Sequence, residues 1–158
     1  SWSAWAVRKG VSAQAVRHYL HGKPAVSTLR HFMPEASDAV IEQEFLTLEA
    51  YEASHAEGIT PVPGAAAFLQ SLNTLNVPWA IVTSGSLKVA SARIHHAGLP
   101  FPDILVTSED ITRGKPDPEP FLLGAQRLNL SAAHCVAFED SHAGLLSAQA
   151  AQSVVVEC

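Results

Sequence analysis

The spacing of apolar positions divides the chain into two textures. Residues 1 to about 58 carry helical periodicity and no convincing strand. A helical pattern starts at once with Trp2 and Trp5. Ser12 is placed to cap a second helix that presents Val16, Tyr19 and Leu20. A third follows Lys23-Pro24, with Val26, Leu29, Phe32 and Met33 expected on one side. Ser37 starts a fourth, in which Ile41, Phe45 and Leu48 recur at spacings of four and three and so share a face. Gly58 is placed to stop it.

The stretch Ile59-Thr60-Pro61-Val62-Pro63-Gly64 is a proline-rich hinge, and it sets the expected domain boundary, residues 1–60 against 61–158. Beyond it the pattern alternates. Phe68, Leu72 and Leu75 mark a helix, and Trp79 to Thr83 is a short apolar run of the kind buried on both faces of a parallel sheet. Leu87, Ala90 and Ile94 mark a helix and Ile104 to Val106 a strand. Phe121, Leu122, Ala125 and Leu128 mark the next helix and Cys135 to Phe138 the next strand. Leu145 and Ala148 lie on a short helix, and Val154 to Val156 form the last strand. Strand–helix alternation predicts an α/β fold, with right-handed crossovers and a parallel sheet covered by helices.

Composition narrows the partners. With 47% hydrophobic and 16% charged residues the chain is globular. Its net charge of −5 and the lack of any basic run argue against nucleic acid and anionic membrane surfaces. Cys135, in an apolar run, and Cys158, the last residue, read as free thiols, which fits a reducing cytoplasm. A monomer is expected. Ser1 in place of Met and a strand with nothing after it lead to the expectation that the chain is cut at both ends.

In a parallel sheet, ligands bind beyond the carboxyl ends of the strands. Three such ends carry suggestive residues: Thr83-Ser84-Gly85-Ser86, Gly114-Lys115-Pro116-Asp117-Pro118 in the loop after the second strand, and Glu139-Asp140-Ser141. A hydroxyl, an ammonium and a carboxylate pair would then converge on one edge. Thr83 can donate to a phosphoryl oxygen, and the Ser84 and Gly85 amides can face an anion at a helix start. Lys115 supplies a compact positive charge, and Glu139 and Asp140 are hard oxygen ligands that suit Mg²⁺. Taken singly, each group has a plain alternative as a cap, a loop lysine or a turn; the three in this order are far more specific. The adjacent His95 and His96 fall on a helix's exposed side and read as surface.

The stretches IVTSGS, GKPDPEPF and FEDSHAG resemble the second, third and fourth motifs of the haloacid dehalogenase superfamily. The helical first part resembles the inserted cap of its sugar phosphatases, 2-deoxyglucose-6-phosphatases, glycerol-3-phosphatases and β-phosphoglucomutases. Residues 21–33 are especially similar to bacterial sugar phosphatases. The resemblance implies a Rossmann-like core with a helical cap. It also implies Mg²⁺-dependent hydrolysis of small sugar or polyol phosphates through an aspartyl-phosphate. It makes Thr83 and Lys115 catalytic, with Ser84 a further phosphate contact, and gives the metal to Asp140 with Glu139. In the cap, His21 and Lys23 flank Gly22 between two helices and are the candidates for substrate choice.

One departure from the family pattern matters. Members open with a strand ending Asp-x-Asp-Gly-Thr, which supplies the nucleophile and the acid–base. The five aspartates here (Asp38, Asp103, Asp110, Asp117 and Asp140) all lie in other contexts. The expectation is therefore that these residues are part of a longer protein and are inactive alone. A phosphomutase of the same subgroup is the first alternative, ranked second because Lys23-Pro24-Ala25-Val26 differs from the mutase cap loop. A non-catalytic receiver-like or binding domain is the other; a receiver has no place for the helical first part.

Overall fold

The computed structural model describes residues 1–158. Its first third is all helix: α1 (Trp2–Lys9), α2 (Ala13–Leu20), α3 (Ala25–Phe32) and α4 (Asp38–Ser54). The expected caps form. Ser12 Oγ accepts from the Ala15 amide at 3.2 Å and Ser37 Oγ from that of Val40 at 3.4 Å. Trp5, Val16, Leu29, Ile41 and Leu48 are buried against one another in a cluster drawn only from these four helices. At its rim Glu44 accepts from the Trp5 indole at 3.0 Å and from Arg8 at 2.9 Å, and Lys9 pairs with it at 2.6 Å. Burial alone would raise the Glu44 carboxyl, but the donors of Lys9, Trp5 and Arg8 outweigh it and hold it below the ordinary carboxylate value.

Two details depart from the periodicity. On α3 the buried face runs through Thr28 and Leu29, and Val26 is exposed, because α2 and α4 approach from the other side. Gly58 does not end α4. The helix stops at Ser54, where the His55 amide closes back on the Tyr51 carbonyl at 3.0 Å and the His55 ring stacks on Tyr51.

The remainder alternates as expected: α5 (Ala65–Thr74), β1 (Ala80–Val82), α6 (Leu87–His96), β2 (Ile104–Val106), α7 (Glu119–Arg127), β3 (Val136–Glu139), α8 (His142–Ala150) and β4 (Val154–Glu157). A single 3₁₀ turn, Ala132–His134, precedes β3 and has no counterpart in the periodicity. The strands do not form one continuous sheet. β1 pairs parallel with β2, Ala80 opposite Ile104, and β3 with β4, Val136 opposite Val154. With a neighbour on one side only, β1 is half-buried where burial on both faces was expected. The helix α7 packs on β1 and β2, and α8 on β3 and β4. The ring of Phe68 on α5 meets that of Phe138 on β3 edge-on at 5.4 Å.

The return from each core helix is one repeated device. Asn76, Gly98, Asn129 and Gln152, each two residues past a helix end, have positive φ. The amide of the next residue reaches back to the last turn: Val77 to Leu72, Leu99 to Ile94, Leu130 to Ala125 and Ser153 to Ala148. This double bond pattern satisfies the final carbonyls and turns the chain towards the next strand or loop.

After β2, Asp110 fixes the loop. Its carboxylate accepts from the Thr107 amide at 2.8 Å and from Arg127 of α7 at 2.6 Å. The Arg127 hydrogen bond, assisted by the Thr107 amide, lowers its pKa from 3.8 to about 2. A depressed carboxyl stabilises the fold fully above its unfolded value and loses that contribution as pH falls through the folded one. Asp110→Asn is therefore expected to be less stable near neutrality and to show a flatter dependence of melting temperature on pH between about 4 and 2. Thermal unfolding of both proteins over that range checks it.

Candidate active site

One ammonium organises the strand ends. The side chain of Lys115, only 7% exposed, leaves the loop after β2 and donates to the Val82 carbonyl at the end of β1 (3.2 Å). It also donates to Glu139 Oε2 at the end of β3 (2.6 Å). The two strand pairs share no strand-to-strand hydrogen bond, yet one side chain ties their carboxyl ends together. The Phe121 ring lies 4.9 Å from the same ammonium.

Glu139 is committed on both oxygens. Oε2 takes Lys115, and Oε1 accepts from the Ser141 amide (3.1 Å), the Ser141 hydroxyl (2.9 Å) and the Asp140 amide (3.2 Å). Burial works to raise this carboxyl, but Lys115 and Ser141 prevail and it lies below its usual value. Gly144 makes the arrangement possible, since a Cβ there would overlap the Glu139 carboxylate. Of the two acids expected to hold metal, Glu139 is thus the partner of Lys115. Asp140 is exposed, and its carboxylate has no hydrogen bond.

Across the cleft lies the turn after β1. Thr83 Oγ1 accepts from the Gly85 amide at 3.1 Å, which leaves the Thr83 hydroxyl hydrogen free but uses the Gly85 N–H that was expected to face an anion. The Ser84 amide has no partner. Ser86 caps α6, and Glu109 binds the Leu87 amide at 3.1 Å with each oxygen.

The His21–Lys23 turn of the helical part comes down onto this same place. The Ser84 hydroxyl donates to the Gly22 carbonyl at 3.0 Å. Gly22 sits at φ 74° with its Cα against Ser141, so a side chain there meets both strain and a clash. His21 and Lys23 line the resulting cavity of about 710 Å³, together with Thr83, Ser84, Lys115 and Asp140. Every residue expected at the site therefore borders this one cavity.

Two further acids line it that the sequence reading missed. Glu49 and Glu52 lie on α4, and the core helix α6 packs on that helix. Arg93 of α6 pairs with Glu52 at 3.4 Å and Lys88 approaches Glu49 to 3.9 Å. The Glu49 side chain is 12% exposed and has no hydrogen bond. The signal was present. Glu49 follows Phe45, and Glu52 follows Leu48, by four residues, so both acids continue the apolar face of α4.

The chain is similar to known proteins over nearly its whole length. Residues 4–152 match the family model described as haloacid dehalogenase-like hydrolase. Hexitol phosphatase A of Escherichia coli (strain K12) is 51% identical over 156 residues, covering 99% of this chain and 72% of that protein. Glycerol-1-phosphate phosphohydrolase 2 of Saccharomyces cerevisiae is 31% identical over 153 residues, 91% of this chain and 60% of that one. Among solved structures, a hydrolase from Pseudomonas syringae superposes with a TM-score of 0.86 at 24% identity, over 99% of this chain and 74% of its own, a likeness of fold. With the strand-end lysine, the hydroxyl turn and the helical part seated above them, these matches establish that the chain belongs to the haloacid dehalogenase-like hydrolases, as a phosphatase.

Proposed function

We propose that the protein hydrolyses the phosphate ester of a small sugar or polyol, a hexitol phosphate foremost, in the cytoplasm and as a monomer. The single observation that carries the reading is the shared cavity. Lys115, Thr83 and Ser84 of the core line it, and so do the His21–Lys23 turn and two acids of the helical part, groups suited to hydroxyls. Residues 1–60 act as the cap and 61–158 as the core. The match to a hexitol phosphatase supports the substrate class.

Two of the three Lys115 donors are in use, so the third is available to a phosphoryl oxygen. The free Thr83 hydroxyl and the unpartnered Ser84 amide supply two more contacts. These groups are fixed before substrate arrives, so they stabilise charge on the transferring group without reorganisation. On the far side, His21, Lys23 and the unbonded Glu49 carboxylate meet the hydroxyls of the sugar or polyol. The Ser84–Gly22 bond holds the cap turn closed over the phosphate and limits entry of water.

The metal fit rests on Asp140. It is the exposed carboxylate with free lone pairs at the strand end, whereas no cluster of three acidic, histidine or cysteine side chains is present. Mg²⁺ is ordinarily held by one or two carboxylates with water and phosphate, and Asp140 meets that requirement. Bound there, the ion would neutralise phosphoryl charge. The family resemblance implies an aspartate oxygen that attacks phosphorus as the sugar alkoxide leaves and takes a proton from a second aspartate. Water then cleaves the acyl phosphate. Neither aspartate is among the five present.

The deciding experiment supplies hexitol, aldose and glycerol phosphates with Mg²⁺ to the protein carrying an Asp-x-Asp strand ahead of these residues. Free phosphate should appear, fastest from hexitol phosphates. An isomerised sugar phosphate would favour a mutase, and the 158 residues alone should release none. Lys115→Met in the active protein should lower turnover more than tenfold, since one such contact contributes about 2–4 kcal/mol; steady-state rates measure it. Asp140→Asn should shift the activity curve to much higher Mg²⁺ concentrations, and overlaying curves for the two proteins would remove Asp140 from the metal site.

A further inference from the structure

We propose that a second, open groove beside the catalytic cavity is an anion site that takes a phosphoryl group and bridges the helical part to the core. The evidence begins with the charge pairing of the whole chain. Of its ten lysines and arginines, eight lie within 4.0 Å of a carboxylate. The two that do not are Arg17 and Lys23, and both line the same groove of about 840 Å³. His18, His21 and His142 line it too, and no acid does. In a protein of net charge −5, the unneutralised positive charge is thus gathered in one place.

The donors come from separate elements around the groove. Arg17 and His18 come from α2, His21 and Lys23 from the turn after it, and His142 from the first residue of α8 in the core. The Lys23 ammonium is held 3.7 Å over the Tyr19 ring, which stacks on His31 at 3.9 Å, so it is positioned before any ligand arrives. A guanidinium fork binds two phosphoryl oxygens side by side, and an ammonium and imidazole N–H groups from other directions can reach the third. Arg17, His18 and His142 border this groove and not the catalytic cavity, whereas His21 and Lys23 border both. An anion bound here would bond to both bodies and add to the hold that Ser84 has on Gly22. The ligand is inorganic phosphate or the phosphoryl end of a phosphate ester.

Site-resolved ¹H–¹⁵N spectra of the 158-residue chain test this with two probes, inorganic phosphate and glucitol 6-phosphate. Saturable shifts of the Arg17 Nε–H and the His142 amide are expected with at least one probe. Tighter saturation by the ester assigns the site to an ester's phosphoryl end, and the reverse assigns it to free phosphate. Arg17→Gln should raise the midpoint at His142 at least tenfold and leave the response of the Thr83–Ser86 amides in place. That second set of signals reports the catalytic cavity, so failure of the catalytic reading and failure of the groove are seen separately. The proposal is overturned if the groove signals do not saturate with either probe. It is equally overturned if chloride at equal ionic strength shifts them as much, or if Arg17→Gln leaves the midpoint unchanged. His18→Gln, read in the same way, replaces Arg17→Gln should the latter lose the dispersed spectrum of a folded chain.

Discussion

The contact between the Lys115 ammonium and Glu139 is the constraint on which the rest of the site depends. A buried charge is tolerated only when it is paired and its remaining donors are satisfied. Here the ammonium finds a carboxylate on one strand and a backbone carbonyl on another, and the carboxylate in turn holds the start of α8 through Ser141. Removing either partner would leave the other buried and unpaired, so the pair is structural as well as chemical. It also explains why the neighbouring acids differ in their partners. Glu139 is spent on positioning the lysine, which leaves Asp140 beside it with free oxygens.

The helical part is attached to the core by contacts of a different kind. Its own core is apolar and self-contained, whereas α4 meets α6 with Glu49 and Glu52 facing Lys88 and Arg93. Ion pairs of this sort contribute little each and weaken with salt. The seam therefore resembles a contact between two units more than the interior of one core. Glycines let the two parts approach closely at two points, Gly22 against Ser84 and Ser141, and Gly114 against Pro24.

Much of this was legible in the residues. Helix starts at Ser12 and Ser37 follow from side chains that cap amides, a local chemistry that needs no tertiary context; Ser86 and Ser141, read only as members of the strand-end clusters, cap in the same way. The three strand-end clusters were legible because parallel strands place their carboxyl ends on one edge. Helix ends were harder. The same closing turn uses Gly10 and Gly98, which announce it, but also Asn76, Asn129 and Gln152. Gln152 at positive φ carries no such signal, since glutamine has no special preference for that conformation. The different hydrogen bonding of Glu139 and Asp140 was not legible either. It depends on which carboxylate reaches Lys115, 24 residues away in sequence. Glu49 and Glu52 escaped because a pattern of apolar positions does not count acids that share the face.

The bond from Ser84 to Gly22 has a consequence for how such a protein can change over generations. The clasp is made to a main-chain oxygen, and the only side-chain demand at its centre is for none. That hydrogen bond itself therefore makes no demand on the side chains of His21 and Lys23 on either side. On the proposed reading, new preferences could arise by drift at those two codons while the proposed phosphate-binding groups beneath stay untouched. Recognition and the backbone clasp would in that case be inherited separately.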